Sequence, residues 1–405
     1  MRILQICPRV PYPLYDGGAI GIFNITESLA LRSHEIRMVA FGKEKTASFE
    51  KLRQYANLSV VEHRTDNRFF DALLMLRSEL PYTVSKYYSD SMFRKLTEIV
   101  EHSPVDIVHV DHLHMAVYGV FLKERYGLPV VLREHNVEFA TMQRFTQNQK
   151  NPILRWYARL QHKKLLRYEP QVCAKFDRCV MITPQDEHRM RSLSNRVRTT
   201  VIPAGFDLPA AAAAVSEKPK SILFLSSLDW RPNVDGFMWF YENVFPRILR
   251  EEPEAVVTIV GKGRSPRLEQ LDHPNLRFVG FVDDVVPYLQ SAQVCIVPLF
   301  TGGGIRIKIL EMFAHRKCVV STSVGCEGIE AEHGRELLIA DDAADFGRSL
   351  LQALRNQELC VLLGNNASKL IEHRYGWSQI GAAFEKVYRQ CVEENKRQVA
   401  NADQV

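Results

Sequence analysis

The feature that most limits how this chain can fold is a repeated exchange of short, β-branched apolar runs with longer amphipathic segments. Runs such as "SILFLS" (Ser221–Ser226) and "VCIVP" (Val294–Pro298) carry apolar side chains at successive positions, so both faces of such a strand need cover. Strands buried on both faces and separated by helical segments are the pattern of βα units in a parallel sheet. In the first half, strands are expected at Arg2–Cys7, Ile36–Phe41, Leu58–Glu62, Ile107–Val110, Pro129–Arg133, Cys179–Thr183 and Thr199–Ile202. In the second they are expected at Ser221–Ser226, Ala255–Val260, Leu276–Val279, Val294–Pro298, Cys318–Ser321 and Glu336–Ile339.

A chain of 405 residues exceeds what one hydrophobic core usually organises. The segment "PAGFDLPAAAAAVSEKPKS" has no strand periodicity and separates the two sets, so the expected domains are 1–205 and 206–375. Beyond them, residues 376–405 form a helix and tail, with Trp377, Ile380, Phe384, Val387, Tyr388 and Cys391 at helical spacing.

Composition excludes several classes. A net charge of +5 falls well short of a dedicated nucleic-acid binder, and no nucleic-acid partner is expected. The eight cysteines are scattered, several within apolar runs, and read as buried thiols in a reducing compartment. No CxxC pair or Cys/His cluster occurs, so no metal site is expected. The apolar run at the N-terminus is too short for a signal peptide, and no stretch approaches the ~18 apolar residues of a membrane span. The expectation is a cytoplasmic protein, with contact at the inner face of the membrane left open.

The most informative stretch is "VCIVPLFTGGGIRIKILEMFAHRKCVVSTSVGCEGI" (Val294–Ile329). A buried strand leads into Gly302, Gly303 and Gly304, then into a helix with Ile305, Ile309, Leu310 and Phe313 on its apolar face. Ligands of open parallel sheets bind at this strand-to-helix edge, and glycines let an anion approach the positive helix start. Arg306 and Lys308 oppose the helix dipole unless a negative guest compensates them, as a diphosphate would. The Glu311 carboxylate can accept two hydroxyl hydrogens from a ribose or hexose. Singly, each residue fits an ordinary turn or a solvated face; the set in this order favours an anion site.

In the first half, Gly17 and Gly18 open a helix after the first strand and read either as a phosphate approach or as a plain turn. "VHVDHLHMAVYG" holds His109, Asp111, His112 and His114; "VVLREHNVEF" holds Arg133, Glu134, His135, Asn136 and Glu138. Both follow buried strands, which places His112, His114, Glu134, Asn136 and Glu138 at a sheet edge as acceptor-side candidates. Three histidines from one loop with no remote fourth ligand make a weak zinc site. The segment 152–169, "PILRWYARLQHKKLLRYE", interleaves Arg155, Arg159, Lys163, Lys164 and Arg167 with apolar residues. It reads equally as a helix lying on anionic lipid and as a packing helix with a solvated basic face.

The glycine-to-Glu311 stretch resembles the donor-site signature of the large retaining family of GT-B glycosyltransferases of the group 1 / family 4 type, in its bacterial polysaccharide branch. The resemblance implies two Rossmann-like doubly wound domains facing across a cleft, with the terminal helix crossing back to brace the first. In that family two glutamates are separated by seven residues: the second binds the nucleotide ribose and matches Glu311, while Gly303 stands at the first. "VIPAGFD" is similar to the crossover into the second domain. "VTIVGKG" resembles the turn bordering the nucleotide, at Gly261, and "LRFVGFVDDVVPYLQSAQVCIVP" the segment whose backbone holds the base, near Gly280 to Val282. Where the family commonly places Arg and Lys after the first strand of domain two, "FLSSLDWRPNVDGF" offers Ser226, Ser227 and Arg231, so Arg306 and Lys308 are expected to take over the clamp. His135 matches the family's cleft histidine near the reacting carbon. The resemblance thus implies a metal-independent retaining hexosyltransferase with no cofactor. It would take a UDP- or GDP-sugar as donor and a glycan or polyprenyl-linked saccharide as acceptor. The competing expectations are a sugar-nucleotide 2-epimerase and an inactive sugar-nucleotide-binding partner protein.

Overall fold

A computed structural model describes residues 1–14, 17–43, 49–65, 78–149, 151–209, 217–263, 265–302 and 304–402. The chain divides into two compact units, one of Met1–Pro203 with Trp377–Val405 and the other of Ala204–Gly376.

The first unit holds a seven-stranded sheet built from β1 (Arg2–Cys7), β2 (Glu35–Phe41), β3 (Asn57–Val61), β4 (Ile107–Asp111), β5 (Val130–Glu134), β6 (Arg178–Met181) and β7 (Thr199–Val201). Their order is β3-β2-β1-β4-β5-β6-β7 and every pairing is parallel. The chain therefore builds outward from β1 in one direction, then restarts at β4 on its other side. Strands buried on both faces explain the continuous apolar runs: Leu4, Ile6, Val108 and Leu132 feed one core cluster, and Ile3, Cys7, Ile107 and Val131 the other.

The terminal helix Trp377–Ala402 covers the second of these faces together with the helix Gly17–Leu31. The spacing of Trp377, Ile380, Phe384, Val387, Tyr388 and Cys391 puts all six on one stripe, and all six are buried. The Ser28 hydroxyl donates to the Trp377 carbonyl at 2.9 Å, which fixes where the helix begins.

The second unit repeats the plan with β8 (Ser221–Leu225), β9 (Val256–Val260), β10 (Leu276–Gly280), β11 (Val294–Val297), β12 (Cys318–Ser321) and β13 (Leu338–Ile339), ordered β10-β9-β8-β11-β12-β13 and all parallel. Here the restart falls between β8 and β11. Each unit is thus a Rossmann-like doubly wound α/β layer, and every strand expected from the sequence is present. The expected strand at Glu336–Ile339 is reduced to Leu338–Ile339 because the Glu336 carboxylate turns back to accept the Glu332 amide at 2.9 Å.

The dependence of the first unit on the terminal helix is testable. Phe384 is fully buried, so Phe384→Ala should cost about 3–5 kcal/mol. The expected result is a lower urea midpoint for the first unit, followed by circular dichroism.

Candidate functional site

In a doubly wound sheet the loops at the two sides of the restart diverge and leave a crevice at the strands' carboxyl ends. In the second unit those loops follow β8 and β11, and they enclose a pocket of about 440 Å³. Ser226, Ser227, Trp230 and Asn233 come from the β8 side, and Ile305 to Lys308 with Glu311 from the β11 side. Gly261 and Lys262 after β9, with Phe281 and Val282 after β10, complete the wall. The volume is in the range of an ordinary small-molecule site.

The helix Ile307–Ala314 begins here, with Arg306 as its N-cap residue and Lys308 in its first turn. Its unpaired amide ends and dipole favour an anion. The Lys308 Nζ donates to Ser226 Oγ at 2.5 Å and to Asn233 Oδ1 at 3.2 Å, and lies 5.6 Å from the Phe224 ring centroid. Burial, reinforced by the Arg306 charge, pulls this ammonium down to about 7. Arg306 is itself buried, donates from Nη1 to the Gly304 carbonyl at 3.0 Å, and lies 5.8 Å from the Trp230 ring centroid.

Glu311 lies one helical turn further on, and its carboxylate makes no hydrogen bond among the described residues. Burial raises its carboxyl above the ordinary range. Three cationic side chains and one carboxyl line the pocket, a set that suits a phosphate-bearing guest with hydroxyls to donate.

The glycines act differently from a simple amide cradle. A Cβ at Gly302, which has φ +137°, would stand 2.4 Å from Arg306 Nη2, so this glycine makes room for the guanidinium folded back across the loop. Neither Gly302 nor Gly304 lines the pocket, and Gly303 lies outside the described residues. Gly261 is needed for close approach, since a Cβ there would fall 1.7 Å from the Ser226 carbonyl oxygen. Gly280 accepts the Gly261 amide at 2.8 Å and faces a neighbouring hollow with Phe278. Arg231 points away from the pocket, exposed and paired with Asp235 at 3.2 Å.

Trp230, Asn233 and Lys262 join the site without having been singled out from sequence. A signal for Asn233 was present: the Pro232 in "WRPN" marks a helix start, which places Asn233 in a first turn facing the loop that it pins through Ser227.

In the first unit the carboxyl ends of β4 and β5 gather a second polar group. Asp111 is fully buried; it accepts from Gln5 Nε2 at 2.9 Å and stands 3.3 Å from His109 Nε2, 3.3 Å from His135 Nε2 and 3.5 Å from Arg133 Nη1. Burial opposes its charge, but His109, His135 and Arg133 outweigh that and hold it well below the usual carboxylate range. His109 is structural, locked by Asp111 and the Tyr388 hydroxyl.

His135 Nε2 lies 3.0 Å from Arg133 Nη1. Arg133 only donates and Asp111 Oδ1, 3.3 Å away, only accepts, so His135 Nε2 accepts from the first or donates to the second according to its tautomer. Burial and Arg133 lower His135 to about 4, and burial and Lys86 do the same for His114. Burial and the neighbouring histidines hold His112 well below its ordinary value. The imidazoles of His112 and His135 therefore stack as neutral rings, 3.6 Å apart at 13°.

Glu138, raised to about 7 by burial against the opposing Lys86 charge, opens the next helix. Asn136 is exposed. Glu134, expected at this edge, turns into the interior instead: alternation along β5 sends Arg133 and Glu134 to opposite faces, and Glu134 accepts from Cys173 Sγ at 3.4 Å. Gly17 and Gly18 begin their helix, but a Cβ on Gly17 would meet nothing within 4 Å, so packing does not demand glycine there. Among the described residues no group of three His, Cys, Asp or Glu side chains is arranged to hold a metal ion.

Removing Asp111 would strand a fully buried guanidinium. Asp111→Ala should therefore destabilise the protein by about 3–5 kcal/mol, read as a lowered melting temperature.

Residues 15–209 match the family model described as Glycosyltransferase Family 4, and residues 219–356 match that described as Glycosyl transferases group 1. An uncharacterized 44.6 kDa protein in the cps region of Klebsiella pneumoniae is 23% identical over 403 residues, covering 95% of this chain and 99% of that protein. The structure resembles sucrose-phosphate synthase from Thermosynechococcus elongatus, with a TM-score of 0.68 at 16% identity over 96% of this chain and 99% of that one. It also resembles Anabaena HepE in complex with UDP, with a TM-score of 0.66 at 13% identity over 96% of this chain and all of that one.

Proposed function

The chain belongs to the glycosyltransferases of the group 1 / family 4 type and has the GT-B fold, and on that premise we propose that it is a retaining enzyme that moves a sugar from a nucleoside diphosphate sugar to a saccharide acceptor. The observation that carries this reading is the pair Arg306 and Lys308 at a helix start, with Glu311 one turn beyond. The donor's diphosphate takes the cationic end of the pocket and Glu311 accepts hydroxyls of the ribose. A UDP-sugar is the first donor to test, since the neighbour HepE is described with UDP.

The acceptor is a glycan or polyprenyl-linked saccharide in cell-surface polysaccharide assembly, a setting supported by the Klebsiella relative's place in a cps region. No helix among the described residues is long and apolar enough to cross a membrane. The eight buried, unpaired thiols favour a reducing compartment and so the cytoplasmic side.

In the reaction, the acceptor oxygen forms its bond to the anomeric carbon on the face from which the nucleoside diphosphate leaves. The acceptor's proton passes to the departing phosphate oxygen, so no side-chain nucleophile is required. Arg306, Lys308 and the helix amides stabilise the charge that grows as the bond to phosphate breaks, which is where preorganised donors contribute most. In this scheme the pair takes the place of a metal ion.

Two measurements test the assignment. Lys308→Ala should lower kcat by roughly 10²–10³-fold while leaving the melting temperature unchanged or raised, because a buried charge is removed. Wild-type turnover in that variant defeats the clamp. Incubation with a sugar nucleotide and no acceptor should leave it intact; an epimeric product would instead make the protein a 2-epimerase.

The second test is pH. In the free protein Lys308 titrates at about 7, whereas a bound diphosphate holds it protonated. Donor affinity should be flat below pH 7 and weaken above it, by up to about tenfold per unit. Calorimetry in buffers of differing ionisation enthalpy should show proton uptake on binding at pH 8.

A further inference from the structure

Between Glu138 and Glu169 the chain contains no acidic residue, while residues 139–168 hold seven Lys and Arg. Two helices, Glu138–Asn148 and Pro152–Cys173, make up this segment and pack against each other. Their base is anchored firmly. The Glu169 carboxylate accepts the amides of Glu138 and Phe139, each at 2.8 Å, and so caps the first helix from the second. His162 Nδ1 bonds the Phe139 carbonyl at 3.0 Å, and Gln161 accepts the Tyr82 amide at 2.9 Å. The buried side of the second helix is Ala158, Gln161, Leu165 and Glu169.

The other end carries apolar side chains into solvent. Ile153 is 74% exposed, Trp156 59%, Phe145 51% and Leu154 49%. They sit at the turn between the helices, where Asn151 accepts the amides of Ile153 and Leu154 and so fixes the helix start that presents them. Along the outer side of the second helix the exposed positions are Trp156, Arg159, Lys163, Leu166 and Arg167, spaced as a single stripe. A helix that only needed a solvated face would not place its largest apolar side chains at the exposed tip. One that only needed to pair with protein would not leave residues 139–168 without a single carboxylate.

We propose that this helical hairpin is a membrane-docking element: Phe145, Ile153, Leu154 and Trp156 enter the headgroup region of an anionic bilayer while Arg159, Lys163 and Arg167 lie on its phosphates. Trp is well suited to that boundary, with an apolar ring and one N–H to leave in the wet zone. Burial of the tip supplies a salt-insensitive part of the binding, and the basic stripe a salt-sensitive part that requires anionic lipid. The firm capping at Glu169 lets the tip enter lipid without the hairpin coming off the sheet. The inference does not depend on the donor pocket, which lies in the other unit.

The test is flotation of the full chain with vesicles of phosphatidylcholine alone and of phosphatidylcholine with roughly one-third phosphatidylglycerol. Binding is expected only to the anionic vesicles, with Trp156 fluorescence shifting to the blue. Arg159→Gln with Lys163→Gln should weaken it about 25-fold, about fivefold per charge. Ile153→Ser with Trp156→Ser should abolish the part that survives high salt. All four side chains are exposed, so both double variants should keep the wild-type melting temperature and donor affinity. Absence of wild-type binding to anionic vesicles overturns the proposal, as does binding unaffected by either variant. So does a concentration-dependent dimer in sedimentation velocity that Ile153→Ser with Trp156→Ser dissolves, since that would make the tip an interface between copies of this chain.

Discussion

A parallel sheet sends every strand's carboxyl end to the same edge, and in both units of this protein that single constraint decides where chemistry can occur. The backbone groups of the strands are satisfied within the sheet, and both faces are sealed by apolar side chains. What remains free is the rim, and within the rim the place where the chain restarts on the other side of its first strand. In the second unit that place is between β8 and β11, where the pocket lies. In the first it is between β1 and β4, where Asp111 reaches Gln5 across the strand pair.

The two rims solve opposite electrostatic problems. In the second unit, two cations are held next to each other at a positive helix end. Among the described residues, the Lys308 ammonium is received by two neutral oxygens, Ser226 Oγ and Asn233 Oδ1. A bound anion would meet both cations and the helix start together, which is what favours it there. In the first unit the Asp111 carboxylate faces the Arg133 guanidinium, and the imidazoles of His112, His114 and His135 are kept neutral chiefly by burial.

The architecture was largely legible in the chain because its signal is local. Both-face burial forces continuous apolar runs, so thirteen strands could be read from hydropathy with their ends displaced by a residue or two, and a 26-residue helix from its single buried stripe. The site was legible only where a residue's role is set by its neighbours in sequence, as with Lys308 and Glu311 on one short helix. The inward fold of Arg306 depends on the missing Cβ of Gly302 and on Trp230, about seventy residues earlier. The fate of Glu134 depends on which side of β5 it falls, and a strand covered on both faces gives no alternation to read. Arg231 stays exposed and pairs with Asp235 one helical turn away.

The same distinction between local and distant determinants bears on the helical hairpin. Its composition is a property of the sequence alone, and from composition a packing helix and a lipid-facing helix look the same. The decision comes from which side is covered. Ala158, Gln161 and Leu165 are taken up by the fold, leaving Trp156, Arg159 and Lys163 with water. Apolar surface left exposed at the end of a well-anchored element costs free energy in a monomer in solution. Such surface is retained at least cost when another phase removes it from water, and a stripe of cations beside it selects an anionic one.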